Sequence, residues 1–233
     1  MKNQYFGDIN DYKKYGLLRL LGGNGQIKTV VCWALTEDDN GPDGRRIRYL
    51  KQPKWQTYDP VIYEHLREYV LNKGIRSVNV IERSNVLPNC RFFNQYIKDD
   101  IKLRSNYFKQ FFEFAKDADL VFFDPDNGLE VKSVPCGKRK SSKYIYWTEI
   151  EESYRSGYSL LLYQCFPRIS RQLFIESLVR RFKELDGIES VFSYCTKHVA
   201  FLLLPQSRHL KMFSKNNHEI SQKWDGIIRV NSY

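Results

Sequence analysis

Apolar positions along the chain follow two patterns that succeed one another. Residues 8–21 (DINDYKKYGLLRLL) set Tyr12, Tyr15, Leu18 and Leu21 three apart, the stripe of a helix that Asp8 or Asn10 can cap and Gly22-Gly23 can stop. Residues 27–36 (IKTVVCWALT) are instead apolar and β-branched throughout, as a strand covered on both faces requires. A Gly/Asp/Pro loop (37–44) and a short strand, IRYL (47–50), come next. Residues 60–74 read as a helix with Pro60 in its first turn and Gly74 at its end, and residues 75–82 as a strand. The amphipathic run 106–117, the strand 118–123, the covered strand 158–166 and the helix 169–187 continue the alternation. Two apolar runs, 188–196 and 198–205, are separated by almost nothing.

Strands that follow helices pair in parallel, whereas two nearly adjacent strands must be antiparallel. Seven strands alternating with helices and closing in a hairpin predict an α/β fold. It is expected to be Rossmann-like and doubly wound, a mostly parallel seven-stranded sheet with a C-terminal antiparallel hairpin strand. No repeat or low-complexity linker interrupts the 233 residues, so one domain over 1–233 is expected. No apolar run approaches the roughly 18–20 residues that span a bilayer, and MKNQYFGDIND has no signal-peptide core, which points to a cytoplasmic protein with no membrane partner. Five scattered cysteines without CxxC or Cys/His zinc spacing read as reduced thiols. The four histidines likewise show no metal spacing.

Charge adds a partner class. The net charge is +10, with pI near 9.3, and basic clusters recur at 44–48, 137–143 (with Lys138 and Arg139), 168–171 and 180–181. Clustered Lys and Arg gain free energy by releasing phosphate counterions, and Tyr49, Trp55, Tyr144 and Trp147 offer faces on which unpaired bases stack. Nucleic acid, RNA or DNA, is the partner this composition predicts.

Candidate chemistry centres on DADLVFFDPDNGLEVK (117–132), where a covered strand ends abruptly in Asp124, Pro125, Asp126 and Asn127. Such residues also make an ordinary strand-terminal turn. In an open α/β sheet, however, ligands bind beyond the carboxyl ends of the strands, where strand order reverses. Gln164 and Arg168 end another central strand on the same rim, and Trp147 is a candidate pocket wall. A rival reading makes Asp124 and Asp126 metal ligands, completed by Asp8 or Asp11, or by Asp38 and Asp39. They would then hold Mg²⁺ for a nuclease or phosphoesterase. PDNGLEVK contains the PD and E-x-K of restriction-type nucleases, with a gap too short for that motif. A third reading is a nucleic-acid-binding module without catalysis. Ser159 lacks a G-x-S-x-G setting, and no acyl-transfer triad is legible.

The Asp124-Pro125 pair resembles the fourth motif of class I, Rossmann-like methyltransferases, and DPDNGLEV is similar to its form in three-Cys-motif partner proteins. The flanking YWTEI and SLLLYQCFPR are similar to the segments that follow it there. GDINDYKKYGLL resembles the opening of a family of bacterial 23S rRNA adenine-N6 methyltransferases, with Asp11 and Lys14 at the matching charged positions. The likeness covers the opening helix and residues 118–170. It implies S-adenosylmethionine as cofactor, held by Asp8, Asp11, Lys14 and Thr36. It also implies Asp124 as acceptor for an exocyclic base amine, in a pocket shaped by Pro125 and, from this sequence, by Asp126 and Asn127. Substrate contacts would come from Gln164, Arg168, Trp147, Lys138 and Arg139. Two features depart from the family: the first loop, TEDDNGPDGR, has no G-x-G, and Asp126-Asn127 stand where an aromatic is usual.

Overall fold

In the computed structural model, which describes residues 1–39 and 41–233, the protein is α/β with one seven-stranded mixed sheet. Position 40 of the 37–44 loop lies outside the described residues. β1 (Thr29–Cys32) carries β2 (Cys90–Phe93) on one side and β3 (Leu120–Phe123) on the other, both parallel to it, in registers Cys32↔Phe93 and Cys32↔Phe123. Gly128–Leu129 (β4) and Tyr144–Ile145 (β5) form a separate two-stranded parallel ladder. β6 (Ser159–Cys165) pairs in parallel with β3. β7 (Phe192–Cys195) and β8 (Val199–Leu204) make the expected hairpin, and β8 is inserted between β6 and β7, antiparallel to both. β9 (Arg229–Ser232) runs antiparallel along the outer side of β7.

Side chains alternate across a strand, so the covered strands feed two cores. Leu120 and Phe122 pack with α1 (Ile9–Leu21), α2 (Pro60–Arg67) and α7 (Ser207–Lys223) on one face. Val121 and Phe123 pack with α4 (Ile101–Ala115), α5 (Trp147–Arg155) and α6 (Arg171–Lys183) on the other. Each fully buried Phe or Leu contributes about 1.5–3 kcal/mol by leaving water. Ten of the thirteen residues of α1 are buried, so this helix is enclosed rather than surface-lying. Gly16 allows that: a Cβ there would come within 2.1 Å of the buried Trp224 ring.

Five of the seven expected strands are present, and two are replaced. Residues 47–50 form no strand; Arg48–Lys51 is a 3₁₀ turn that buries Tyr49 and Leu50 and leaves Arg48 and Lys51 exposed. Residues 75–82 also stay out of the sheet. Val78 and Ile81 are buried three apart while Ile75 is exposed, and the short helix α3 (Asn79–Glu82) forms there. Their places are taken by the half-buried edge strand β2, and by β9, which follows the unforeseen helix α7. The helix expected at 106–117 starts earlier, at Ile101. Asp100 caps it by accepting from Lys102 N and Leu103 N, both at 2.9 Å. Ile101 and Leu103 are exposed, so no apolar stripe marks that first turn.

Candidate functional site

From β1 the chain crosses to β2 on one side and afterwards to β3 on the other, so strand order reverses between the ends of β1 and β3. A cleft of about 890 Å³ opens there. Its floor is the tetrad Asp124, Pro125, Asp126 and Asn127, delivered directly by β3. The start of α1 supplies one wall through Asp8, Asp11 and Lys14. Arg45, Arg46 and Arg48 stand exposed on the rim, with Tyr49, Trp55 and His198 nearby in the same lining.

The floor is a buried ion cluster. Lys14 Nζ lies 2.7 Å from Asp11 Oδ1 and 2.7 Å from Asp124 Oδ2, all three side chains being nearly inaccessible. Burial by itself would lower the Lys14 pKa, but the Asp11 and Asp124 charges outweigh it and raise it. Asp11 has the opposite balance. Burial raises its carboxyl from 3.8 to about 6, against the pull of Lys14 and with a further push from Asp124. Beside them, the Met1 amine donates to Asp124 O (2.8 Å) and Ala34 O (3.2 Å) and lies 2.9 Å from Asp126 Oδ1. Burial alone would raise the Asp126 pKa, yet this amine and the Thr36 hydroxyl, which donates to Oδ2 at 2.9 Å, hold it below the ordinary value. Three carboxylates therefore face two ammonium groups. Asp124 Oδ1 is engaged by no donor among the described residues. Ala34, just past β1, has φ of 45° without being glycine, a backbone strain of the kind that gathers at functional sites.

The loop after Asp124 is held from both sides. Asn127 N donates to Lys143 O (2.9 Å) and Cys165 N donates to Asn127 O (3.1 Å), tying it to the β5 edge and to β6. Gln164 spends its amide here: Oε1 accepts from Leu129 N at 2.8 Å and Nε2 donates to Cys165 O at 2.7 Å. Gly128 sits at φ 113°, where a Cβ would lie 2.5 Å from Gln164 Oε1. The expected substrate contact at Gln164 is thus a brace for the loop.

The site residues expected from sequence divide in space. Asp8, Asp11, Lys14 and the Asp124–Asn127 tetrad meet in the cleft, and Thr36 touches it through Asp126. Arg168 is exposed just beyond β6 and outside the lining. Trp147 is buried on the opposite face of the sheet, tilted against Phe182 at 4.9 Å with the Arg181 guanidinium 4.0 Å over its ring. Lys138 and Arg139 are exposed on a loop that Arg104 fastens by donating to Ser141 O (3.1 Å) and Tyr144 O (2.7 Å). Trp147, Lys138 and Arg139 therefore lie away from the Asp124 floor: α5, which carries Trp147, packs in the α4–α6 layer, and the loop before β5 is tied to Arg104 of α4. Asp38 and Asp39 are also elsewhere: Asp38 accepts from Gln4 N, and Asp39 pairs with Lys2 and Gln4. Among the described residues no three His, Cys, Asp or Glu side chains gather as a metal needs.

Residues without an assigned chemical role also join the cleft, among them Met1, Tyr5, Tyr163 and His198. Lys13 lies beside the cleft, its Nζ 5.9 Å from the ring of Trp55, and its only signal was the lysine pair at 13–14. A different constellation assembles at the opposite, amino end of the sheet. Ser159 Oγ lies 2.9 Å from His209 Nδ1, and His209 Nε2 lies 3.6 Å from Asp119 Oδ1. Ser159 is fully buried and its oxygen also accepts from Gln206 N at 2.9 Å, so the trio anchors the start of α7 rather than facing a substrate.

No family model matches the chain, and no curated protein does. Among solved structures, a Legionella pneumophila str. Philadelphia 1 protein assigned to DUF519 is similar over 97% of both chains, at 13% identity and a TM-score of 0.41. No helix among the described residues is long and apolar enough to cross a membrane.

Proposed function

We propose that the chain transfers a methyl group from S-adenosylmethionine to an exocyclic amine of a nucleic-acid base. The observation that carries this reading is Asp124-Pro125 standing at the end of β3, next to the end of β1, on the floor of the large cleft. A parallel run closed by an antiparallel hairpin strand also resembles the Rossmann-like sheet of class I methyltransferases. The basic rim suits a polyanionic substrate.

The residues present fit the cofactor in charge. Three carboxylates against two ammonium groups leave an excess of negative charge, which favours a cationic sulfonium and amine. Asp11 and Asp126 are the groups that would hold them. Bound there, S-adenosylmethionine supplies an electrophilic methyl group. Lys14 fixes the Asp124 carboxylate through Oδ2 and leaves Oδ1 to accept an amine N–H, aligning the nitrogen lone pair on the methyl carbon. Pro125 has no N–H to compete for that acceptor. A base reaches this depth only when unpaired or flipped from its stack.

One observation favours a second reading, nucleic-acid binding without transfer: Met1 fills the crevice between the ends of β1 and β3, touching Ala34 O and Asp124 O. Isothermal titration with S-adenosylmethionine, its demethylated product and MgCl₂ separates these outcomes. Donor binding that weakens at least about tenfold in Asp126→Ala supports transfer. RNA or DNA binding without donor binding supports the module, and Mg²⁺ binding accompanied by strand cleavage contradicts both.

A further inference from the structure

A group of cations at the mouth of the cleft has no partner that explains it. Lys13 projects from α1 with only 4% of its surface exposed, yet its Nζ makes no hydrogen bond or ion pair among the described residues. The Lys13 Nζ lies 5.9 Å from the centroid of the Trp55 ring, and Trp55 lines the cleft. The ammonium keeps contact with solvent at the mouth of the cleft, where an anion can reach it. Arg46 and His198 line the same cleft, and Lys197 precedes His198 at the exposed tip of the β7–β8 turn. The position of Arg46 is fixed by the backbone: its N donates to Asp8 Oδ2 at 3.0 Å and its O accepts from Ile9 N at 3.1 Å.

These groups feel one another. Burial lowers the Lys13 ammonium to about 8; the Asp8 carboxylate opposes that, while Arg46 and Lys197 add to it. Burial likewise lowers the His198 imidazole, with Arg46, Lys13 and Lys197 adding to the effect. The carboxylate facing them is Asp8, whose oxygens already accept from Asn10 N and Arg46 N, both at 3.0 Å. Against one carboxylate stand three cations and a titratable imidazole. Tetrahedral oxyanions are the ligands such a group binds, since each oxygen accepts from a different donor and the charge offsets the mutual repulsion.

We propose that Lys13, Arg46, Lys197 and His198 form a phosphate-binding subsite at the mouth of the Asp124 cleft. It deepens the transfer reading by placing a phosphate of the substrate at the entrance while the base reaches the floor, but phosphate binding there requires neither Asp124 nor a methyl donor. The phosphate belongs either to a phosphomonoester, as in a mononucleotide, or to the diester backbone of a nucleic acid.

Titration of the full chain with inorganic phosphate, followed through the His198 imidazole resonances at constant ionic strength, tests this. We expect a saturable shift and a rise in the His198 pKa with phosphate bound, because an adjacent anion favours the imidazolium. Lys13→Met should weaken the dissociation constant at least about tenfold, as loss of a charge-assisted hydrogen bond does. Lys197→Ala, at an exposed turn where folding is insensitive to the side chain, should weaken it about threefold or more. Asp124→Asn should leave it unchanged even if methyl transfer is absent. Displacement of phosphate by adenosine monophosphate but not by an oligonucleotide lacking terminal phosphates assigns a monoester; displacement by that oligonucleotide assigns the diester backbone. No saturable shift, or a dissociation constant unaltered in both lysine variants, overturns the subsite.

Discussion

Lys14 governs the charge of the cleft floor, because it alone stands between Asp11 and Asp124 at 2.7 Å from each. Lys14→Met leaves two buried carboxylates without their cation, and breaking a buried pair in this way costs about 3–5 kcal/mol. Urea unfolding at pH 7 should show a loss of that order; a change below about 1 kcal/mol would mean the pair is solvated and the floor open. Asp11 makes a separate prediction in pH. Its folded pKa, about 6, lies above the ordinary 3.8, so the stability it contributes is fully present below about pH 4 and is lost as pH rises through about 6. Relative to Asp11→Asn, the wild type should therefore lose on the order of 3 kcal/mol between pH 4 and pH 7, since each tenfold change in proton affinity is worth about 1.4 kcal/mol. A difference that stays flat over that range would contradict the burial. At this scale the sequence was most informative where a charge interrupts an apolar run. Asp124 after LVFF stands out for that reason, whereas Lys14 was marked only by the resemblance of GDINDYKKYGLL. Met1, His198 and the brace at Gln164 carried no such mark, since their roles depend on contacts 33 to 123 residues away, or on which atoms of an amide are already used.

The loop from Asp124 to Leu129 keeps its shape through the small β4–β5 ladder and the Gln164 amide. Gly128→Ala must place a Cβ into Gln164 Oε1 at a φ that L residues seldom adopt. It should cost about 1–3 kcal/mol and weaken whatever the cleft binds, whereas Gly74→Ala, also at positive φ but facing nothing within 4 Å, should change stability without touching binding. Thermal melts paired with ligand titration check both. Element by element, the strands covered on both faces were legible because they need continuous apolar runs: β1, β3, β6, β7 and β8 all stand where those runs are. The edge strands were not. β2 is half-buried and β9 mostly exposed, so neither carries the run that marks a covered strand. Residues 47–50 and 75–82 look β-like in composition, but polar and charged residues interrupt both runs, and they form a 3₁₀ turn and a short helix instead.

Over the whole molecule, β9 and α7 complete one edge of the sheet and enclose α1, whose Gly16 rests against Trp224. Removal of residues 226–233 exposes the outer side of β7 and should lower the unfolding midpoint while promoting association through that free edge, read by light scattering. The charge is organised as well as large: an acidic floor under a basic rim, in a chain whose net charge is +10. In the proposed reading that arrangement would hold a polyanion at the mouth and a base at the floor. The most direct test is transfer itself. Purified protein is incubated with methyl-labelled S-adenosylmethionine and unmodified RNA or DNA, alongside Asp124→Asn. We predict label in an exocyclic base amine, reduced at least about a hundredfold in the variant. Donor binding with equal labelling by both proteins, or no labelling of any nucleic acid by a wild type that binds the donor, would contradict the account.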